Sequence, residues 1–498
     1  MMQQAMQSVQ SVARELPHAY TDLWRYNIAL VRSLNREHME FLDSTLIAAQ
    51  TGFQAARDNP LGVRETFDVM QHSSALLTEG LLATREKVSG YLFDQLEEGV
   101  RAFLNTVLNR EGETIAAYLR READVMEAVA DFHEQIEKIK DEFGFQFATP
   151  GYKLAHETDS FLLYQVLPTK KGVKVRDDRR PMILVPPYML GAHILSFLPG
   201  EHKSYAHAFA NEGVPTYVRV VKDIMTTEAV QNMTPDDDCT QTRELCEQLV
   251  ERHGKKVTLN GTCQGGYICL MNVLSGTYKD VCDTIITNVA PIDGTYSDAI
   301  SGMPTLHHDF ITDTLPNGKK VANGYLLSLG MRFVAIDRET PLIKVLDQVS
   351  LHKATDLNPG KTVAALFRWL LKERVHLPLE IAKMSSHTFQ EPISKDGELP
   401  VSLYGQPLNV RDLAKLNVRW YQDYAIKDDL VTPDCATAAN KFLEGTGVIE
   451  SVPFPGGHVA ILTSPHSKRA PVNGRFKGKD GTEYRGPVAF QMELDASA

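Results

Sequence analysis

A cysteine set among glycines is the part of this 498-residue chain best placed to do chemistry. In Gly261-Thr262-Cys263-Gln264-Gly265-Gly266 the thiol follows an apolar run, Lys256–Asn260, and precedes a run from Tyr267 to Leu274 that reads as a helix ending at Gly276. Strand, sharp turn and helix in that order make a nucleophile elbow, whose turn strains the central residue and lifts its side chain off the sheet. Gly261, Gly265 and Gly266 are the elbow glycines, and a Cβ at Gly261 or Gly265 would collide with neighbouring backbone. The thiol then lies at a helix N-terminus, where the macrodipole favours thiolate. The backbone N–H of Gln264 would be one oxyanion donor. The plainer alternative is that Cys263 is a small buried hydrophobe beside a glycine turn.

A thiol of ordinary acidity needs a base within hydrogen-bond reach. Chains built on such an elbow carry the acid and then the histidine downstream, on loops after later strands. Two segments fit. Val418 to Pro433 is a strand running into an acidic turn closed by proline, with Asp428, Asp429 and Asp434 crowded together. Asp429 is assigned to the triad; the plainer alternative for any of the three is a solvated turn residue. Ile449 to His458 is a strand, then Gly456-Gly457, then the histidine. His458 is assigned as the base; its plainer alternative is an ordinary loop histidine, one of sixteen.

The elements that must position these residues fall after Thr149-Pro150-Gly151, where short β-rich runs alternate with helical ones and imply a mostly parallel sheet flanked by helices. The expected strands are Pro181–Val185, Pro215–Val220, Lys256–Asn260, Thr284–Val289, Val418–Tyr424 and Ile449–Pro453. The class is therefore α/β, with a catalytic domain over 149–475. A helical cap is expected over about 296–398, including a helix at Thr362–Glu373, and a C-terminal surface extension over 476–498. Residues 1–148 differ in texture, with a single proline between Thr21 and Phe147, and read as a helical region turning at Asp58-Asn59-Pro60-Leu61-Gly62. Within it Leu92, Leu96, Val100, Phe103, Leu104, Val107 and Leu108 recur at threes and fours as one apolar stripe. Either the catalytic domain covers this stripe, or a partner helix or a hydrophobic surface does.

Bulk properties narrow the partners. Apolar residues make up 43% and charged residues 23%, the balance of a globular protein with a real core. A net charge of −11 disfavours nucleic acid, which demands clustered Lys and Arg. The N-terminus lacks the basic and apolar regions of a secretory signal, and no stretch approaches the roughly 18–20 apolar residues of a membrane span, so a cytoplasmic location is expected. Six cysteines with no CxxC pair and no clustered histidines give neither a disulfide framework nor a metal site.

The elbow box, the Asp before proline and the Phe454-Pro-Gly-Gly-His458 loop together resemble the polyhydroxyalkanoate synthases, which share an α/β-hydrolase fold with a cysteine nucleophile. Val185-Pro186-Pro187-Tyr188 is similar to that family's apolar-Pro-Pro-aromatic run, and the likeness extends from Phe161 to Ser467. The resemblance implies Cys263 as acyl-carrying nucleophile, His458 as general base, Asp429 beside it, and the turn at Tyr188 as second oxyanion donor. It implies polymerisation of 3-hydroxyacyl-CoA with release of CoA, acyl-CoA being substrate and no cofactor being needed, in a homodimer at a polyester granule. One departure stands out: synthases usually follow the triad aspartate with histidine, whereas Leu430 follows Asp429. A Cys-dependent depolymerase or thioesterase of the same fold is the alternative, and a non-catalytic granule protein the next. The helical N-terminal region is loosely similar to phasins.

Overall fold

In the computed structural model the described residues are 6–29, 99–130, 137–297, 312–324 and 358–496, apart from a few single positions, with scattered positions of 64–97 and residue 327. Contacts divide the chain into two units, one comprising Met1–Ala49, Met70–Lys140 and Ala335–Arg368, the other Gln50–Val69, Asp141–Val334 and Trp369–Ala498.

The second unit is built on eight strands: β1 (Tyr152–Glu157), β2 (Phe161–Val166), β3 (Met182–Val185), β4 (Thr216–Val221), β5 (Val257–Thr262), β6 (Cys282–Asn288), β11 (Arg419–Ala425) and β12 (Ile449–Phe454). Their spatial order is β1-β2-β4-β3-β5-β6-β11-β12. β1 and β2 form an antiparallel edge, and from β4 to β12 every pairing is parallel. Central strands such as Met182-Ile-Leu-Val185 are buried along their whole length, as a strand covered on both faces must be. All six strands expected from sequence are present; the antiparallel edge pair was not anticipated. Helices α2 (Tyr205–Ala210), α3 (Pro235–His253) and α4 (Gln264–Leu274) join the strands. Thr234 and Asp237 start α3 with reciprocal caps, and Gly254 ends it at φ 66°.

Between β6 and β11 lie a hairpin of β7 (Thr312–Thr314) and β8 (Lys320–Ala322), helices α5 (Asn358–Lys372) and α6 (Leu379–Gln390), and a hairpin of β9 (Glu398–Leu403) and β10 (Gln406–Asn409). The remainder of the expected cap, 298–311 and most of 325–357, lies outside the described residues. In the helical unit, α1 (Ile115–Ala130) and residues 100–107 are helical. Val100, Phe103, Leu104, Val107 and Leu108 of the apolar stripe are exposed there, whereas Leu92 and Leu96 lie outside the described residues, as does the turn at 58–62.

The C-terminus differs from the surface extension expected of it. After β13 (Arg475–Lys477) and β14 (Glu483–Arg485), helix α7 (Pro487–Ala496) buries Val488, Phe490 and Leu494, and Phe490 stacks on Tyr421 of β11 with ring centroids 4.6 Å apart. Charged neighbours such as Glu493 and Asp495 dilute these apolar residues, so average composition concealed a packed helix.

Polar residues of β11 that look wrong for a central strand are accommodated differently. Gln422 donates to the Ala436 carbonyl at 2.7 Å and accepts from Ser451 at 2.8 Å. Asp423 is buried with its Oδ2 unpaired, and burial, then Glu450 nearby, hold its carboxyl well above the usual range. An acid whose folded pKa is raised contributes its full stability below the unfolded-state value and loses it as pH climbs toward the folded value. Asp423→Asn should therefore stabilise the chain at pH 8 but not at pH 4. The gain, about 1.4 kcal/mol for each unit of pKa mismatch removed, is to be read from urea midpoints across pH.

Candidate active site

Cys263 closes β5 and precedes α4 with φ 51° and ψ −125°, a conformation that side chains rarely adopt. Its N–H donates to Asn288 O at 2.8 Å and its carbonyl accepts from Gly266 N at 2.9 Å, which clamps the elbow to β6 and to the first turn of α4. The glycines are required by contact. A Cβ on Gly261 would strike the backbone of Gly265 and Gly266, one on Gly265 the carbonyl oxygens of Val185 and Pro186, and one on Gly266 the Ala290 methyl at 2.7 Å. Cys263 is partly exposed, while the other five cysteines are buried. Burial pushes the Cys282 thiol up to about 11 and Cys239, Cys246, Cys269 and Cys435 upward too, which leaves them inert.

His458 follows β12 on the Gly456-Gly457 loop. Lys427 N–H donates to Gly456 O at 3.0 Å and Ile426 N–H to Phe454 O at 3.1 Å, so the histidine loop and the acid loop are laced together by backbone. The acid that meets the ring is Asp428, not Asp429. His458 Nδ1 stands 2.7 Å from Asp428 Oδ2, while Asp428 Oδ1 accepts from the N–H groups of Leu430 and Val431 at 3.0 and 2.9 Å. Asp429 is exposed. The physical reason is how the two loops meet: Asp428 folds one carboxylate oxygen back over the N–H groups of Leu430 and Val431, and the backbone lacing to the histidine loop brings its other oxygen to the ring. Proline spacing does not distinguish adjacent aspartates, so the sequence carried no signal for the choice. The residue after the acid is consequently Asp429 rather than Leu430, still not a histidine.

Burial by itself would lower the pKa of His458. The Asp428 carboxylate, hydrogen-bonded to the ring, and the Cys263 sulfur outweigh it and hold the imidazole well above its ordinary value. The site thus presents a sulfur on a strained turn, an imidazole beside it and a buried carboxylate behind. Such a set can form a covalent adduct through sulfur and protonate the group that leaves.

Two further expected residues also come to this place. Gln264 is the first residue of α4, so its N–H has no partner within the helix and points past Cys263. Tyr188 lies on the loop after β3, and its N–H donates to the side-chain oxygen of Gln264 at 2.9 Å. What sequence reasoning missed is the support under Tyr188. Its hydroxyl donates to Asp238, which is paired with Arg219 at 2.8 Å, both charges being buried. The next two carbonyls, Met189 O and Leu190 O, accept from Val375 N and Trp369 Nε1 at 3.3 and 3.2 Å. Among the described residues no group of three or more His, Cys, Asp and Glu could hold a metal ion, and no helix is long and apolar enough to cross a membrane.

No family model matches the chain. A curated relative, the poly(3-hydroxyalkanoate) polymerase subunit PhaC of Allochromatium vinosum, is 26% identical over 251 residues, covering 49% of this chain and 65% of its own length. Among solved structures, the monoglyceride lipase of Saccharomyces cerevisiae is 13% identical with a TM-score of 0.39, over 64% of this chain and 91% of its own. The naproxen esterase of Bacillus subtilis is 13% identical with a TM-score of 0.34, over 69% and 95%.

Exchanging the two aspartates separately tests the assignment. In Asp428→Asn the pKa of His458, followed by NMR of labelled histidine, should fall, and alkylation of Cys263 by iodoacetamide at neutral pH should slow. Asp429→Asn should leave the alkylation rate within about threefold of wild type, the scale of a surface substitution.

Proposed function

We propose that the chain is a polyhydroxyalkanoate synthase-like α/β-hydrolase, an acyltransferase that polymerises 3-hydroxyacyl-CoA through a thioester on Cys263. The observation that carries this reading is the Cys263–His458–Asp428 arrangement on a strained elbow. The curated relative supports it, being a polymerase subunit over the part of its length that aligns.

The chemistry follows from the groups present. The Cys263 sulfur attacks the acyl carbonyl, the carbon–sulfur bond to coenzyme A breaks, and the His458 imidazolium gives its proton to the departing thiolate. Exchange of one thioester for another is close to isoenergetic, which keeps the acyl group activated. The neutral imidazole then takes the proton of an incoming 3-hydroxyl as that oxygen attacks the Cys263 thioester. An ester forms, and the sulfur is freed for another round. Asp428 holds the ring in the tautomer that directs Nε2 at the reacting atoms and stabilises its charged form. Oxygen charge in each tetrahedral intermediate meets the N–H groups of Gln264 and Tyr188. On this reading the partners are 3-hydroxyacyl-CoA and the growing polyester, in a cytoplasmic enzyme that works beside a granule with a second copy of itself.

Incubation with 3-hydroxybutyryl-CoA should yield free CoA, polymer and a mass adduct on the peptide that carries Cys263. Cys263→Ala should abolish all three, and Asp428→Asn should reduce acylation by roughly 10²–10⁴-fold. Free 3-hydroxybutyrate without polymer would make the site a hydrolase instead, and an unreactive but accessible Cys263 would rule out acyl chemistry altogether.

A further inference from the structure

The second oxyanion donor is already engaged, and by the residue that supplies the first. Gln264 sends its side-chain oxygen to Tyr188 N–H at 2.9 Å and its Nε2 to Ser385 Oγ at 2.5 Å. The orientation of the amide is fixed from both ends. A backbone N–H can only donate, so the oxygen must face Tyr188. Ser385 in α6 spends its own proton on the Ile381 carbonyl at 3.0 Å, so its oxygen is left to accept. A side-chain carbonyl therefore stands where the carbonyl oxygen of an acyl group has to bind if Tyr188 is to stabilise it.

Neither end of this bridge is free to retreat. Tyr188 is tied by its hydroxyl to the buried Arg219–Asp238 pair, and the following residues are tied to Trp369 and Val375. α6 is seated on the loop after β6, where Phe389 covers Gly294 so closely that a Cβ there would enter its ring, and Ile393 N–H donates to Asp293 at 3.0 Å. The Gln264 side chain, by contrast, can turn about its own rotatable bonds.

We infer that the Gln264 side chain is a latch across the oxyanion site, held by Ser385 and displaced by the substrate's acyl oxygen. The inference deepens the acyl-transfer reading and rests on it. The latch keeps Tyr188 N–H satisfied in the resting enzyme, so an acyl group must break the Gln264 bond before it gains its own. Only an oxygen that becomes negatively charged, and hence accepts more strongly than a neutral amide, exchanges with profit. The ground-state carbonyl gains little by the exchange, so the latch weakens substrate capture.

Gln264→Met keeps the length of the side chain and removes its acceptor, and Ser385→Ala removes its anchor. In single-turnover acylation by 3-hydroxybutyryl-CoA, followed by the mass adduct on Cys263, Gln264→Met should form adduct roughly two- to tenfold faster than wild type at subsaturating substrate, the factor one net hydrogen bond amounts to. Ser385→Ala should move the same way by less, and the double variant should gain nothing over Gln264→Met. The gain should lie in KM rather than kcat, which a merely structural role would not produce. Hydrogen exchange at the Tyr188 amide should quicken in Gln264→Met without substrate. Wild-type adduct with an unchanged or slower rate in Gln264→Met would overturn the latch while leaving acyl transfer intact. Absence of adduct in every chain, with Cys263 still alkylated by iodoacetamide, would overturn the acyl-transfer reading itself.

Discussion

The site depends on a backbone conformation that no cysteine adopts unaided. Cys263 at φ 51° carries strain of order 1–3 kcal/mol, and its surroundings compel it. Gly261 lets the first turn of α4 return against the end of β5, Gly265 lets that turn approach the carbonyls after β3, and Gly266 makes room for Ala290. The neighbouring strand shares the burden. Val289, a β-branched residue, turns to φ 46° directly after the Asn288 carbonyl that anchors Cys263, and its N–H is taken by Asp423 O. Two strained residues on adjacent strands thus hold one another, and the sulfur is fixed at the rim of the sheet as a result.

Around that fixed point the sheet order does the positioning. The acid loop follows β11 and the histidine loop follows β12, and these strands lie in that order beyond β6, on the side away from β3. Because all of them run parallel, their C-terminal ends open on the same rim, and residues separated by nearly two hundred positions in the chain converge there. Backbone bonds between Lys427 and Gly456 and between Ile426 and Phe454 make acid and histidine a single assembly. The imidazole consequently meets the Asp428 carboxylate at Nδ1, and both that carboxylate and the Cys263 sulfur favour its charged form.

The opposite wall is held by a different device. Arg219 and Asp238 are almost wholly buried, and the Arg219 guanidinium also lies 4.3 Å from the centre of the Phe161 ring. A buried ion pair adds little to stability in itself, but removal of either charge strands the other at a cost of roughly 3–5 kcal/mol. Here the pair receives the Tyr188 hydroxyl and so decides where the Tyr188 N–H points. The Gln264 side chain spans the gap between the Tyr188 N–H and Ser385 of α6.

The sequence determined what depends on local pattern. Glycine spacing around Cys263, a strand before it and a helix after it are properties of consecutive residues, and a single backbone geometry satisfies them. The six parallel strands were legible for the same reason, since buried strands are short apolar runs bounded by turns. The helical α7 was not, because charged residues break up its apolar ones, and the edge pair β1–β2 was not, because strands such as Tyr152–Glu157 are only partly buried. Tertiary structure alone decided between Asp428 and Asp429, as adjacent side chains in a turn diverge and only the path of the other loop determines which one meets the ring. It alone placed Gln264 against Tyr188 and Ser385, and Arg219 beneath them. Those contacts join residues between 76 and 121 positions apart in the case of Gln264; hydrogen bonds across such spans leave no period in the chain, and they exist only once the sheet has brought their ends together.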